Sequence, residues 1–65
     1  MSVQAGDMYT IEIHDHSNKG NIFIIVRPKN GMHDSGWVTY NLTTGRYEWD
    51  YDSAFLDPYI YRKLA

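Results

Sequence analysis

Residues 46–52, Arg-Tyr-Glu-Trp-Asp-Tyr-Asp, alternate strictly between large rings and charged groups. Side chains of a strand point to opposite faces in turn, so Tyr47, Trp49 and Tyr51 share one face while Arg46, Glu48, Asp50 and Asp52 share the other. A helix would scatter both sets around its circumference. The run therefore reads as a strand with a tightly specified register, because a slip of one residue would bury four charges. The same argument turns those four charged groups to solvent.

The rest of the chain follows the same period. Met8–His14 places Tyr9, Ile11 and Ile13 on one face and Met8, Thr10, Glu12 and His14 on the other. Asn21–Val26 is apolar on both faces, as a central strand is. Pro28 ends it, since proline donates nothing to a ladder. Trp37–Leu42 alternates again, with Val38, Tyr40 and Leu42 on one side, and Thr43-Thr44-Gly45 turns it into the 46–52 strand, with Gly45 supplying a left-handed position. Asp52 or Ser53 caps one helical turn through Ala54-Phe55-Leu56, which Pro58 terminates. Tyr59–Lys63 is a last short strand, and 15–20 and 29–36 are polar, glycine-containing loops. Five short strands with one late helical turn predict an all-β fold. In so few residues the sheet curls into a small barrel, which removes exposed edges.

Size sharpens that expectation. With 65 residues the chain makes one domain, 1–65, and buries only roughly 60% of its unfolded surface. It has no cysteine, so neither a disulfide framework nor a thiolate zinc site staples it. Large rings are the remaining means: six Tyr, two Trp and two Phe make 15% of the residues. Which rings form the core and which form a contact face is open at this stage. The longest apolar run, Ile22–Val26, is far short of the ~20 residues of a membrane span. The opening MSVQAGD has no basic segment or apolar stretch of an export signal, so a cytoplasmic location is expected. The formal charge of −2 suits neither a non-specific polyanion binder nor a heavily acidic mimic.

The segment Gly36-Trp37-Val38-Thr39-Tyr40-Asn41-Leu42-Thr43-Thr44-Gly45 resembles the middle of a Src-homology-3 domain, in which a Trp-led third strand enters a Leu-Thr-Thr-Gly-type hairpin. After the fourth strand, Asp52–Leu64 is similar to the family's ending in order: a one-turn helix and a short closing strand. The resemblance implies a five-stranded SH3-like barrel with one short helical turn before the last strand. It does not extend to the family's proline-peptide groove. The first long loop, 14–20, has no aromatic residue, Trp37 stands beside Gly36 rather than a second tryptophan, and the Pro-Ser-Asn-Tyr spacing near the end is missing.

Several constellations bear on function. His14 and His16, two apart, would point the same way on a strand and are weak metal candidates, with His33 and Asp34 as further donors; polar loop surroundings favour solvated histidines instead. Glu48, Asp50 and Asp52 lie ~6.6–6.8 Å apart along a strand, close to the interval between successive phosphates, and suit a Lys/Arg patch on a partner. Lys19, Arg27, Lys29 and Arg46, interleaved with rings, suit nucleic-acid stacking and phosphate contact. No Ser/His/Asp ordering or glycine-rich phosphate loop is present, and a barrel this small has no deep pocket to raise a carboxyl pKa, so no enzymatic activity and no cofactor are expected.

These readings converge on a non-catalytic protein-binding module. Its expected contact residues are Tyr47, Glu48, Trp49, Asp50, Tyr51 and Asp52, with Trp37. Rings anchor in a pocket of a protein partner that carries a basic patch, and carboxylates steer the approach. A compact acidic binder of this kind suits a phage-type inhibitor of a host nucleic-acid-processing protein. The alternative is a small-barrel nucleic-acid-binding protein using Lys/Arg and aromatic side chains.

Overall fold

A computed structural model describes residues 3–13, 17, 19–29 and 36–65. The order is β1 (Met8–Ile11), β2 (Ile22–Pro28), β3 (Gly36–Asn41), β4 (Arg46–Tyr51), α1 (Asp52–Leu56) and β5 (Tyr61–Lys63). All five strands belong to one antiparallel sheet in the order β4-β3-β2-β1-β5. Five antiparallel strands with one short helix before the last agree with the expectation from sequence.

The sheet is strongly curled. Laid flat, five strands at ~4.8 Å spacing would hold β4 and β5 about 19 Å apart. Instead the Tyr61 hydroxyl of β5 donates to Asp50 Oδ2 of β4 at 2.9 Å. One source of the curl is a bulge. Ile25 pairs with Thr39 and Arg27 with Val38, so Val26 is an extra residue in β2. Such an insertion bends the strand and raises its twist.

The concave side holds the core: Val3, Tyr9, Ile11, Phe23, Ile25, Phe55 and Tyr61. Four of these are rings in mutual contact. Phe55 of α1 stacks on Tyr61 at 4.3 Å between centroids, and Tyr9 and Phe23 meet Tyr61 edge-on at 6.3 and 6.0 Å. Aromatic pairs contribute ~0.5–1.5 kcal/mol each beyond the area they bury, which suits a chain without covalent staples. The short helix lies across this side and brings Phe55 to the cluster.

Local details depart from the sequence reading in ways that have causes. The first strand stops at Ile11, and Ile13 is exposed, because β1 lies between β2 and β5 and the β5 ladder begins only at Tyr61. Tyr59 and Ile60 form a turn held by the Ile60 and Tyr61 N–H groups on the Asp57 carbonyl, at 3.0 Å each. The hairpin loop takes in Leu42 as well as Thr43-Thr44-Gly45, since Asn41 pairs with Arg46. Gly45 has φ +75°, the left-handed position expected of it. Neither Asp52 nor Ser53 caps α1. The cap is Tyr51, without a side-chain bond, because the Asp52 carboxylate is engaged elsewhere. Among the described residues, no helix is long and apolar enough to cross a membrane.

Candidate functional site

The convex face of β3 and β4 carries four rings that lie outside the core, Tyr40, Tyr47, Trp49 and Tyr51. The register sets Tyr40 opposite Tyr47, Val38 opposite Trp49 and Gly36 opposite Tyr51, and partners in a ladder share a face. Ile24 and Met8 continue the Tyr47–Tyr40 row across β2 and β1. Tyr47, Trp49 and Tyr51 are 71%, 46% and 55% exposed, and Tyr40 is half-buried beneath them. They form two perpendicular pairs: Tyr40 with Tyr47 at 4.9 Å and Trp49 with Tyr51 at 5.1 Å. The Lys29 ammonium sits over the Trp49 ring, 4.0 Å from its centroid. Its stem crosses β3 at Gly36, where a Cβ would come within 3.3 Å of Lys29 Cδ. The hydrogen at Gly36 is what leaves that path open.

The carboxylates face the other way, and here the expectation is corrected. Glu48, Asp50 and Asp52 are half-buried, not turned to solvent; of the four charged groups Arg46 stays exposed. Each carboxylate accepts a hydrogen bond from a neutral donor of the same chain. Glu48 Oε2 accepts Asn41 Nδ2 at 3.1 Å, Asp50 Oδ2 accepts the Tyr61 hydroxyl, and Asp52 Oδ1 accepts Trp37 Nε1 at 2.8 Å. Asp50 Oδ1 also accepts the backbone N–H of Tyr51 at 2.8 Å. Burying a charge is costly unless it is paired or hydrogen-bonded, and at the concave rim these donors meet that requirement.

Asn41 anchors the same network. It is fully buried, and its Oδ1 accepts the N–H groups of Thr43 and Thr44 at 2.9 and 3.1 Å while its Nδ2 serves Glu48. Tyr61 shows the electrostatic consequence. Burial, and then the Asp50 and Glu48 charges, push its hydroxyl well above the ordinary phenol value of 10.0. Burial and the charges of Asp7 and Asp52 raise Tyr9 in the same direction.

The folded state holds the Tyr61 proton more tightly than the unfolded state, so this stabilisation is complete below pH about 10 and is lost as pH rises beyond that value. Urea unfolding on either side of pH 10 should show the midpoint falling at the alkaline end, with a flatter fall in Tyr61→Phe. An equal alkaline slope in both proteins would remove Tyr61 from the account.

The sequence-derived contact residues therefore divide. Tyr47, Trp49 and Tyr51 come together on one exposed face; Glu48, Asp50, Asp52 and Trp37 lie on the other as parts of an internal network. His14 and His16, with His33 and Asp34, lie outside the described residues. Among the described residues no group of three or more His, Asp or Glu is arranged to hold a metal ion. Sequence reasoning missed Tyr40 and, although it set Lys29 among the cations suited to nucleic acid, missed the Lys29 contact with Trp49. Tyr40 was within reach, because the Thr43-Thr44-Gly45 turn sets it opposite Tyr47. Lys29 belongs to a loop, where periodicity carries no information.

A second surface feature is an open groove of about 290 Å³ lined by Tyr9, Phe55, Leu56, Pro58, Tyr61, Arg62 and Lys63. Its cations are engaged: Lys63 Nζ lies 3.7 Å from Asp7 and Arg62 Nε 3.4 Å from Glu12. No protein-family model matches the chain, and no curated protein and no solved structure matches it significantly.

Proposed function

We propose that this chain is a non-catalytic binding module that docks a partner protein through the convex aromatic face of β3 and β4. One observation carries the reading: Tyr47, Trp49 and Tyr51 stay exposed although the core is already filled by four other rings. Rings left in water on a rigid sheet, with two rotatable bonds each, are the residues that dominate protein–protein contacts when buried by a partner. The carboxylates shape the hairpin from behind rather than meet a basic patch themselves. We propose further that the curled sheet is SH3-like. That is supported by the succession of a Trp-led third strand, a Thr-Thr-Gly hairpin, a fourth strand, one helical turn and a closing strand.

Affinity capture from nuclease-treated lysate tests the face. Tyr47→Ala/Trp49→Ala should abolish capture of a partner while the chain stays folded by amide dispersion in the NMR spectrum, with a loss of roughly 1–4 kcal/mol for the two ring pairs and the Lys29 contact that it removes. Capture unchanged by the double substitution would overturn the reading.

A second reading is favoured by Lys29 over Trp49, the arrangement of a platform for single-stranded nucleic acid, with Arg27 opposite Val38 in the same cross-strand row as Trp49. Oligonucleotide binding that weakens steeply with salt would establish that reading instead.

A further inference from the structure

We infer that the corner between Trp49 and Tyr51 is a docking site for a cationic side chain, lysine or arginine, presented by the partner protein. The inference rests on the docking reading above and names the chemistry that the face takes up. Two observations support it. First, the molecule already places a cation there: the Lys29 ammonium lies 4.0 Å from the Trp49 ring centroid, inside the ~6 Å range over which a ring quadrupole attracts a positive charge. Second, the corner has two walls. Tyr51 stands at 78° to Trp49 with 5.1 Å between centroids, and both rings are about half exposed. A charge can therefore meet the face of one ring while an aliphatic stem runs along the other.

Lys29 is then an intramolecular competitor. Its stem lies over Gly36 and only its terminal ammonium occupies the ring, so a partner's cation replaces one cation–π contact with another and gains the Tyr51 wall. An internal occupant multiplies the intrinsic affinity by the fraction of time that it leaves the site open. Removing it should therefore tighten binding, which a merely structural Lys29–Trp49 contact would not do.

Choline is the probe, titrated into the whole chain against sodium chloride at matched ionic strength and followed by the two indole N–H resonances. The Trp49 resonance and the Tyr51 ring should shift while the Trp37 resonance, whose Nε1 donates to Asp52, stays in place. Lys29→Met should bind about two- to fivefold more tightly, the equilibrium that a surface cation–π contact supports, and Trp49→Leu should lose the response. An uncharged isostere, 3,3-dimethylbutan-1-ol, should bind more weakly than the cation. Equal binding of the isostere, equal affinity in wild type and Lys29→Met, or shifts spread over both indoles would overturn the inference. Because this titration uses no partner, its failure with partner capture still dependent on Tyr47 and Trp49 would leave the docking face standing and remove only the cation.

Discussion

Asn41→Ala is expected to lower stability by about 2–4 kcal/mol, out of the roughly 3–10 kcal/mol available to a chain of this length. Asn41 is fully buried and joins three groups that have no other partner in the hairpin: the Glu48 carboxylate and the N–H groups of Thr43 and Thr44. Alanine leaves the carboxylate half-buried without its donor. The two loop amides are near solvent and are re-satisfied by water, so the carboxylate dominates the loss. The melting temperature should fall by about 10–25 °C. Asn41→Asp separates the contributions: it keeps the acceptor for the two amides but sets a second carboxylate against Glu48, so its deficit should shrink on acidification while that of Asn41→Ala does not. A change under 0.5 kcal/mol in Asn41→Ala would show that the hairpin does not depend on this network.

The second large effect tests which side of the sheet is the core. Phe23 is 2% exposed and meets Tyr61 edge-on, so Phe23→Ala combines lost transfer energy with a cavity and should cost ~3–5 kcal/mol. That consumes most or all of the margin, and the expected observation is collapse of amide dispersion in the NMR spectrum at 25 °C. Tyr47→Ala removes a ring of similar size from the convex face and should leave the spectrum dispersed, because Tyr47 is 71% exposed. The opposite ranking would place the core on the wrong side of β3 and β4.

That contrast also marks how far the sequence could be read. Period two located four of the strands, an apolar β-branched run located the central one, and the glycine in Thr43-Thr44-Gly45 located the hairpin. The direction in which the β3–β4 alternation faces was not legible. Ordinary patterning buries Tyr47, Trp49 and Tyr51 and leaves Glu48 and Asp50 wet; the structure does the reverse. The physical reason is long-range. Three neutral donors, Asn41 Nδ2, Trp37 Nε1 and the Tyr61 hydroxyl, converge on the carboxylates at the concave rim, and two of them come from 11 to 15 residues away in sequence. Meanwhile the core draws its rings from β1, β2, α1 and β5 and none from β4. The extra residue Val26 was equally invisible, because an apolar run hides where a ladder skips. Lys29 reaches Trp49 across Gly36, a contact visible only once β2 and β3 are paired.

The shared carboxylate of Asp50 has one more consequence. It holds the last strand through Tyr61 and, with its other oxygen, occupies the Tyr51 N–H of the outermost strand. Docking of β5 and blunting of β4 are thereby one event. A molecule in which β5 frays frees the same aspartate to swing away, and its ring-studded border becomes a template for strand addition by a neighbour, so self-association should begin from the partly opened state rather than from the closed one.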